Sequence, residues 1–107
     1  MPVYDPALDP LTVGAAFSKK WGDTLGIKMF ETTLKPGDSL ALHSHPDHAI
    51  YVFQGGKMAF NFGGVADTGS VPSDTAWIFP AIADAVKNIG NTTIKWIEVD
   101  VYRPRNK

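Results

Sequence analysis

From Ile27 to Tyr102 every apolar run is short and is closed by a turn signal, and this punctuation constrains the chain more than any other feature. The runs are IKMFETTL, SLALHSH, AIYVF, KMAFNF, TAWIFP, AVKNI and TTIKWIEVDVY. Between them stand Lys35-Pro36-Gly37-Asp38, Pro46-Asp47, Gly55-Gly56, Gly63-Gly64 with a polar stretch through Pro72-Ser73-Asp74, and Gly90-Asn91. No long helical period follows residue 20, so the segments read as successive antiparallel strands of a β-sandwich or closed barrel. In the last run Ile94, Trp96 and, further along, Glu98 share one face, whereas Lys95, Ile97, Val99 and Val101 share the other. Upstream, residues 1–26 are rich in proline and turn formers and read as an N-terminal arm, with a short helix across Thr12 to Lys20. The expected organisation is therefore this arm, a single barrel over 27–103 and a tail over 104–107.

With 107 residues the chain is of single-domain size, and 44% hydrophobic against 20% charged residues is globular composition. Ten Lys plus Arg against eleven Asp plus Glu leave a formal charge of -1, without the basic excess of nucleic-acid or anionic-membrane binders. A small-molecule partner is expected, with no nucleic acid and no membrane. The first residues lack a basic and then apolar leader, and no apolar stretch approaches spanning length, so a cytoplasmic location is expected. With no cysteine, any metal here must be held by nitrogen and oxygen. There is no G-x-S-x-G elbow and no phosphate loop, which weakens hydrolase and nucleotide-binding readings.

All three histidines, His43, His45 and His48, fall inside six positions. Alternate residues of a strand face the same side, so the imidazoles of His43 and His45 can converge on one point, and a bound metal is the usual reason for that. His48 has an odd offset, but Pro46-Asp47 interrupts the strand and lets the alternation restart. It is a further candidate ligand, or else a turn histidine or a partner of the ligands.

The run from Gly37 resembles the first motif of the cupin superfamily, G-x5-H-x-H-x3-4-E-x6-G, with Gly37, His43, His45 and Gly56 at the motif's spacings. The motif's glutamate falls on Ala49, which can bind nothing, and His48 stands one residue away. The second motif, G-x5-P-x-G-x2-H-x3-N, is matched in outline by DTAWIFPAIADAVKN, where Pro80 and Asn88 fit, Asp74 and Ile82 replace the glycines, and Asp84 holds the histidine's place. The resemblance spans Gly37 to Asn88 and implies an all-β jelly-roll barrel, the double-stranded β-helix. It further implies a metal site of His43, His45, His48 and Asp84, and with Asp84 bound the set becomes two histidines and a carboxylate, which suits Fe(II) as well as zinc. Asp84 could equally serve a local hydrogen bond beside a turn.

The implied cofactor is a divalent ion, Zn, Fe, Ni or Mn, meeting a small polar molecule at the barrel mouth, with Tyr51, Gln54 and Trp77 as pocket candidates. Cupins of this outline include isomerases, dioxygenases and decarboxylases as well as binding proteins without turnover. A weak or empty metal site in a non-catalytic binding module is the alternative, suggested by Ala49, and a purely structural domain is a third reading. A homodimer is expected, paired through sheet faces and the arm from Pro2 to Pro10.

Overall fold

A computed structural model of the chain describes residues 6–104. After a 3-10 turn at Pro6–Leu8 and the one-turn helix α1 (Pro10–Val13), nine strands follow among the described residues. They are β1 (Ser18–Thr24), β2 (Ile27–Leu34), β3 (Ser39–His45), β4 (Asp47–Gln54), β5 (Gly56–Phe62), β6 (Val65–Val71), β7 (Thr75–Phe79), β8 (Ile82–Asn88) and β9 (Ile94–Val101). One sheet has the order β1-β2-β9-β4-β7 and the other β3-β8-β5-β6, with antiparallel pairing throughout. Beyond β2 the chain changes sheet at nearly every connection, which wraps the two layers into the jelly roll expected from the punctuation.

Two strands lie where none was expected. Residues 12–20 do not form a helix: α1 ends at Gly14, and Ser18–Thr24 pair with β2 as an edge strand. The turn between them is Leu25-Gly26, with φ of +58° and +70°, the two-residue hairpin geometry that a leucine disguises in the sequence. Much of the presumed arm is thus part of the sheet, and of the Pro2 to Pro10 segment residues 2–5 lie outside the described residues. The second unexpected strand is β6, drawn from the polar stretch. Gly63 and Gly64, both at positive φ, turn β5 into it, and as an outer strand with mostly exposed side chains it needs no apolar alternation.

The other strands follow their alternation. On β9 buried and half-buried residues alternate strictly, with Ile94, Trp96, Glu98 and Asp100 all inward. The apolar core gathers where Leu34, Leu40, Val52, Met58, Val86, Ile94 and Trp96 meet between the sheets. Asn88 closes this end. Its side-chain amide is fully buried, donates to the carbonyls of Leu34 at 2.9 Å and Thr92 at 2.7 Å, and accepts from the Gly90 N–H at 3.0 Å. Replacing Asn88 by alanine would leave those groups without partners, so N88A is expected to lose about 2–4 kcal/mol of stability in urea denaturation, several times the cost of a surface change.

Candidate metal centre

The site begins with an irregularity in β3. Leu40 pairs with Val86 and His43 with Asp84, so β3 spends one residue more than β8 over this interval. This β-bulge resets the alternation. Leu40, three residues before His43, would otherwise face the opposite side, yet both are buried, with the extra residue taken up at Ala41 and the exposed Leu42. His45 then lies inward two residues on. Pro46 breaks the chain between the sheets, Asp47 Oδ1 accepts from the Ala81 N–H at 3.0 Å, and β4 starts with His48 inward. His43, His45 and His48 are 3%, 4% and 6% exposed, so all three imidazoles sit inside the barrel.

Their protons are directed by the backbone. His43 Nδ1 lies 2.8 Å from the Ala41 carbonyl and His48 Nδ1 2.8 Å from that of Pro46; an N–H donated there leaves each Nε2 with its lone pair turned inward. His45 Nδ1 faces Glu98 Oε2 at 2.7 Å and Asp100 Oδ2 at 3.3 Å. Its Nε2 and that of His43 converge on Asp84 Oδ1, at 3.3 Å and 2.5 Å. The rings of His45 and His48 stack with centroids 4.4 Å apart. Glu98 is held in turn by the Trp96 indole N–H, which donates to Oε1 at 3.1 Å.

The electrostatics centre on His45. Burial by itself would drive its pKa down, but Asp100, Asp84 and Glu98 together outweigh it and push the imidazole up to about 12. Burial opposes ionisation of Asp84 and Glu98 too, yet His43 and His45 hold Asp84 down at about 2, and His45 holds Glu98 at about 2. Asp100 goes the other way, up to about 9, because it is buried beside the charged Glu98. His48 is lowered by burial and by the cationic His45.

This donor set fits a metal ion. Asp84 Oδ1 and Glu98 Oε2 are buried and receive no well-aligned hydrogen bond, although imidazole nitrogens stand beside both. Two groups have donor atoms all within 4.8 Å of one another: His43, His45 and Asp84, and His45, His48 and Glu98. Nitrogen and carboxylate oxygen in this proportion match zinc or a first-row metal such as Fe(II).

The double sheet is shared by solved structures. The chain superposes on a cupin domain from Bordetella pertussis Tohama I with a TM-score of 0.73 at 17% identity, over 80% of this chain and 92% of that one. The chain has the cupin fold. A cupin superfamily protein from Desulfitobacterium hafniense DCB-2 gives a TM-score of 0.64 at 14% identity, over 80% of this chain and 76% of that one. A predicted oxalate decarboxylase from Thermotoga maritima gives 0.55 at 16% identity, over 81% and 93%. No protein-family model and no curated protein matches the sequence.

In this cupin barrel three of the metal candidates named from the sequence, His43, His45 and Asp84, form one donor group, and the fourth, His48, joins His45 and Glu98 in the adjoining one. Trp77 lines the adjoining cavity. Tyr51 and Gln54 do not: both are exposed outside that cavity, and the Tyr51 hydroxyl donates to Asp74 Oδ1 at 2.8 Å. Tyr51 shares the outward parity of Ala49 on β4, opposite to the inward His48, Ile50 and Val52. Ala49 thus faces away from the site, and a carboxylate enters it from the neighbouring strand instead, because Glu98 pairs in register with the inward Ile50. Glu98 and Asp100 are the site residues that the sequence reading missed. Their signal was the inward face of TTIKWIEVDVY, on which a buried carboxylate needs a partner.

His45 and Asp100 both have raised pKa values, so each contributes stability that is present below its unfolded pKa and lost as pH climbs. The losses start near 3.8 for Asp100 and 6.5 for His45 and run toward about 9 and about 12. Asp84 and Glu98 act in the opposite sense, losing their contribution only as pH falls from about 4 toward 2. Metal-free protein is therefore expected to melt at a lower temperature at pH 9 than at pH 5.5, and Asp100→Asn, which mimics the neutral acid, should flatten that decline in thermal scans.

Proposed function

We propose that this chain binds one divalent metal ion through His43 Nε2, His45 Nε2 and Asp84 Oδ1, with His48 as a fourth donor, and presents it to a small molecule in the barrel. The observation that carries the reading is Asp84 Oδ1, a buried carboxylate oxygen without an aligned donor on which two imidazole nitrogens converge. Without a metal a proton on His45 lies between these groups, and a divalent cation would take its place, bound by the freed nitrogen lone pairs and the carboxylate oxygen. Asp100 Oδ2 accepts from His45 Nδ1 at 3.3 Å and Glu98 Oε2 lies 2.7 Å from the same nitrogen, which favours a proton on Nδ1 and turns Nε2 toward the metal, the usual arrangement of a carboxylate behind a ligating histidine. A bound ion would supply Lewis-acid polarisation of an oxygen on the small molecule, or dioxygen chemistry if it is iron. The fold hosts enzymes and binding proteins alike, so the reading extends to metal and ligand binding and not to a named reaction. Ala49 suggested a weak or empty site in a non-catalytic binding module, and the inward carboxylates of Asp84 and Glu98 support the metal-binding reading over it.

Elemental analysis of protein purified without an affinity tag is expected to give stoichiometric metal, and the double change of His43 and His45 to alanine should abolish it. Glu98→Gln should keep the metal but weaken it roughly 10–100-fold in chelator competition. Native protein devoid of metal after growth and dialysis in metal-supplemented medium would overturn the proposal.

The same reading includes a homodimer. Met29, Val99, Ala49 and Ile78 follow one another in register across β2, β9, β4 and β7, an apolar row on the outer face, with Ile78 85% exposed. Such a row can meet its own copy about a two-fold axis. Light scattering should give twice the chain mass, and Ile78→Glu should give the monomer; a native monomer at high concentration would reject it.

A further inference from the structure

We infer that the cavity beside the histidines takes a neutral, largely apolar ligand of one or two rings that turns a single oxygen-bearing end toward the histidine wall. The cavity measures about 500 Å³, the size of small-molecule sites. Its polar side chains are gathered almost entirely on one wall, with His43, His45, His48, Asp84 and Glu98, and Ser70 is the one hydroxyl elsewhere. The Trp96 N–H at the cavity floor is already committed to Glu98. The remaining lining is aliphatic, aromatic, Met, Gly and Pro, and it contains no Lys or Arg.

These facts discriminate between ligand classes. A dicarboxylate or a sugar acid would bring negative charge into a chamber that already holds the carboxylates of Asp84 and Glu98 beside the histidines and has no Lys or Arg in its lining to pair with it. A bound divalent ion would already be offset by those carboxylates. A neutral sugar would bury several hydroxyls against Met58, Phe60, Val71 and Trp96, which cannot accept or donate to them. An apolar ring meets no such penalty. At the opening, Phe62, Trp77 and Phe79 are 37%, 39% and 37% exposed, an aromatic rim on which an entering ring can stack. The preference therefore differs from the polar molecule expected from the sequence. Only the polar end of the ligand rests on the metal-binding reading; the apolar selectivity does not.

The test uses the full chain, metal-free and after loading with Zn²⁺ alone, titrated calorimetrically with 2-naphthol, oxalate and galacturonate. Binding of 2-naphthol by both forms, with oxalate and galacturonate weaker by at least about tenfold, is the expected result. Val71→Phe, which fills the cavity, should weaken 2-naphthol about tenfold or more, and Phe79→Lys, at the exposed rim, should weaken it while improving oxalate. Circular dichroism checks both folds, and Phe79→Lys keeps the test in force if Val71→Phe fails to fold. Oxalate or galacturonate binding more tightly than 2-naphthol, no 2-naphthol binding to folded protein, or affinity untouched by both variants would overturn the inference. Failure to take up zinc with 2-naphthol still bound would sink the metal-binding reading and leave this one standing.

Discussion

An imidazole buried between three carboxylates joins the two sheets of this protein at one end of the barrel. His45 comes from β3 and Asp84 from β8 in one sheet, while Glu98 and Asp100 come from β9 in the other. Charges so far from water are tolerated only when paired, and here the imidazoles stand beside the carboxylates while Asp84 Oδ1 and Glu98 Oε2 still lack an aligned hydrogen bond. The opposite end is closed by apolar side chains and the Asn88 amide. The barrel is thus held by two unlike clamps with a chamber between them, and the chamber has one polar wall because one of the clamps is polar.

That asymmetry explains why the site needs so few specialised residues. Backbone carbonyls at Ala41 and Pro46 orient two imidazoles, Asp100 orients the third, and Trp96 holds Glu98 beside it. Each orienting partner lies within two residues of a strand position that the hydrophobic alternation already forces inward, or on the strand beside it. The cluster is therefore built from the same register that makes the core. A slip of β9 by one residue would turn Glu98 and Asp100 outward together with Ile94 and Trp96, and core and site would be lost at once.

Most of the strands were legible because their side chains alternate and their turns contain Gly, Pro or Asn. The exceptions have identifiable causes. β1 escaped notice because its hairpin turn uses Leu25 at positive φ, which sequence rules assign to Gly or Asn, and because its seven residues are largely exposed. β6 escaped because an outer strand has no apolar face to display. In the site, His43, His45, His48 and Asp84 could be named from spacing and motif. Tyr51 and Gln54 were misplaced because both lie outside the cavity, with Tyr51 on the outward parity of β4.

What the sequence determined by itself is an all-β chain of short antiparallel strands and a cluster of imidazoles on one of them, since both depend on local periodicity and spacing. What only the tertiary structure decided is which carboxylates meet those imidazoles. The bulge that turns Leu40 and His43 to the same side, and the register that sets Glu98 opposite Ile50 and Asp100 opposite His48, are relations between strands distant in sequence. Pairing across a sheet is chosen by the packing of the whole barrel, and no local pattern along one segment encodes its partner.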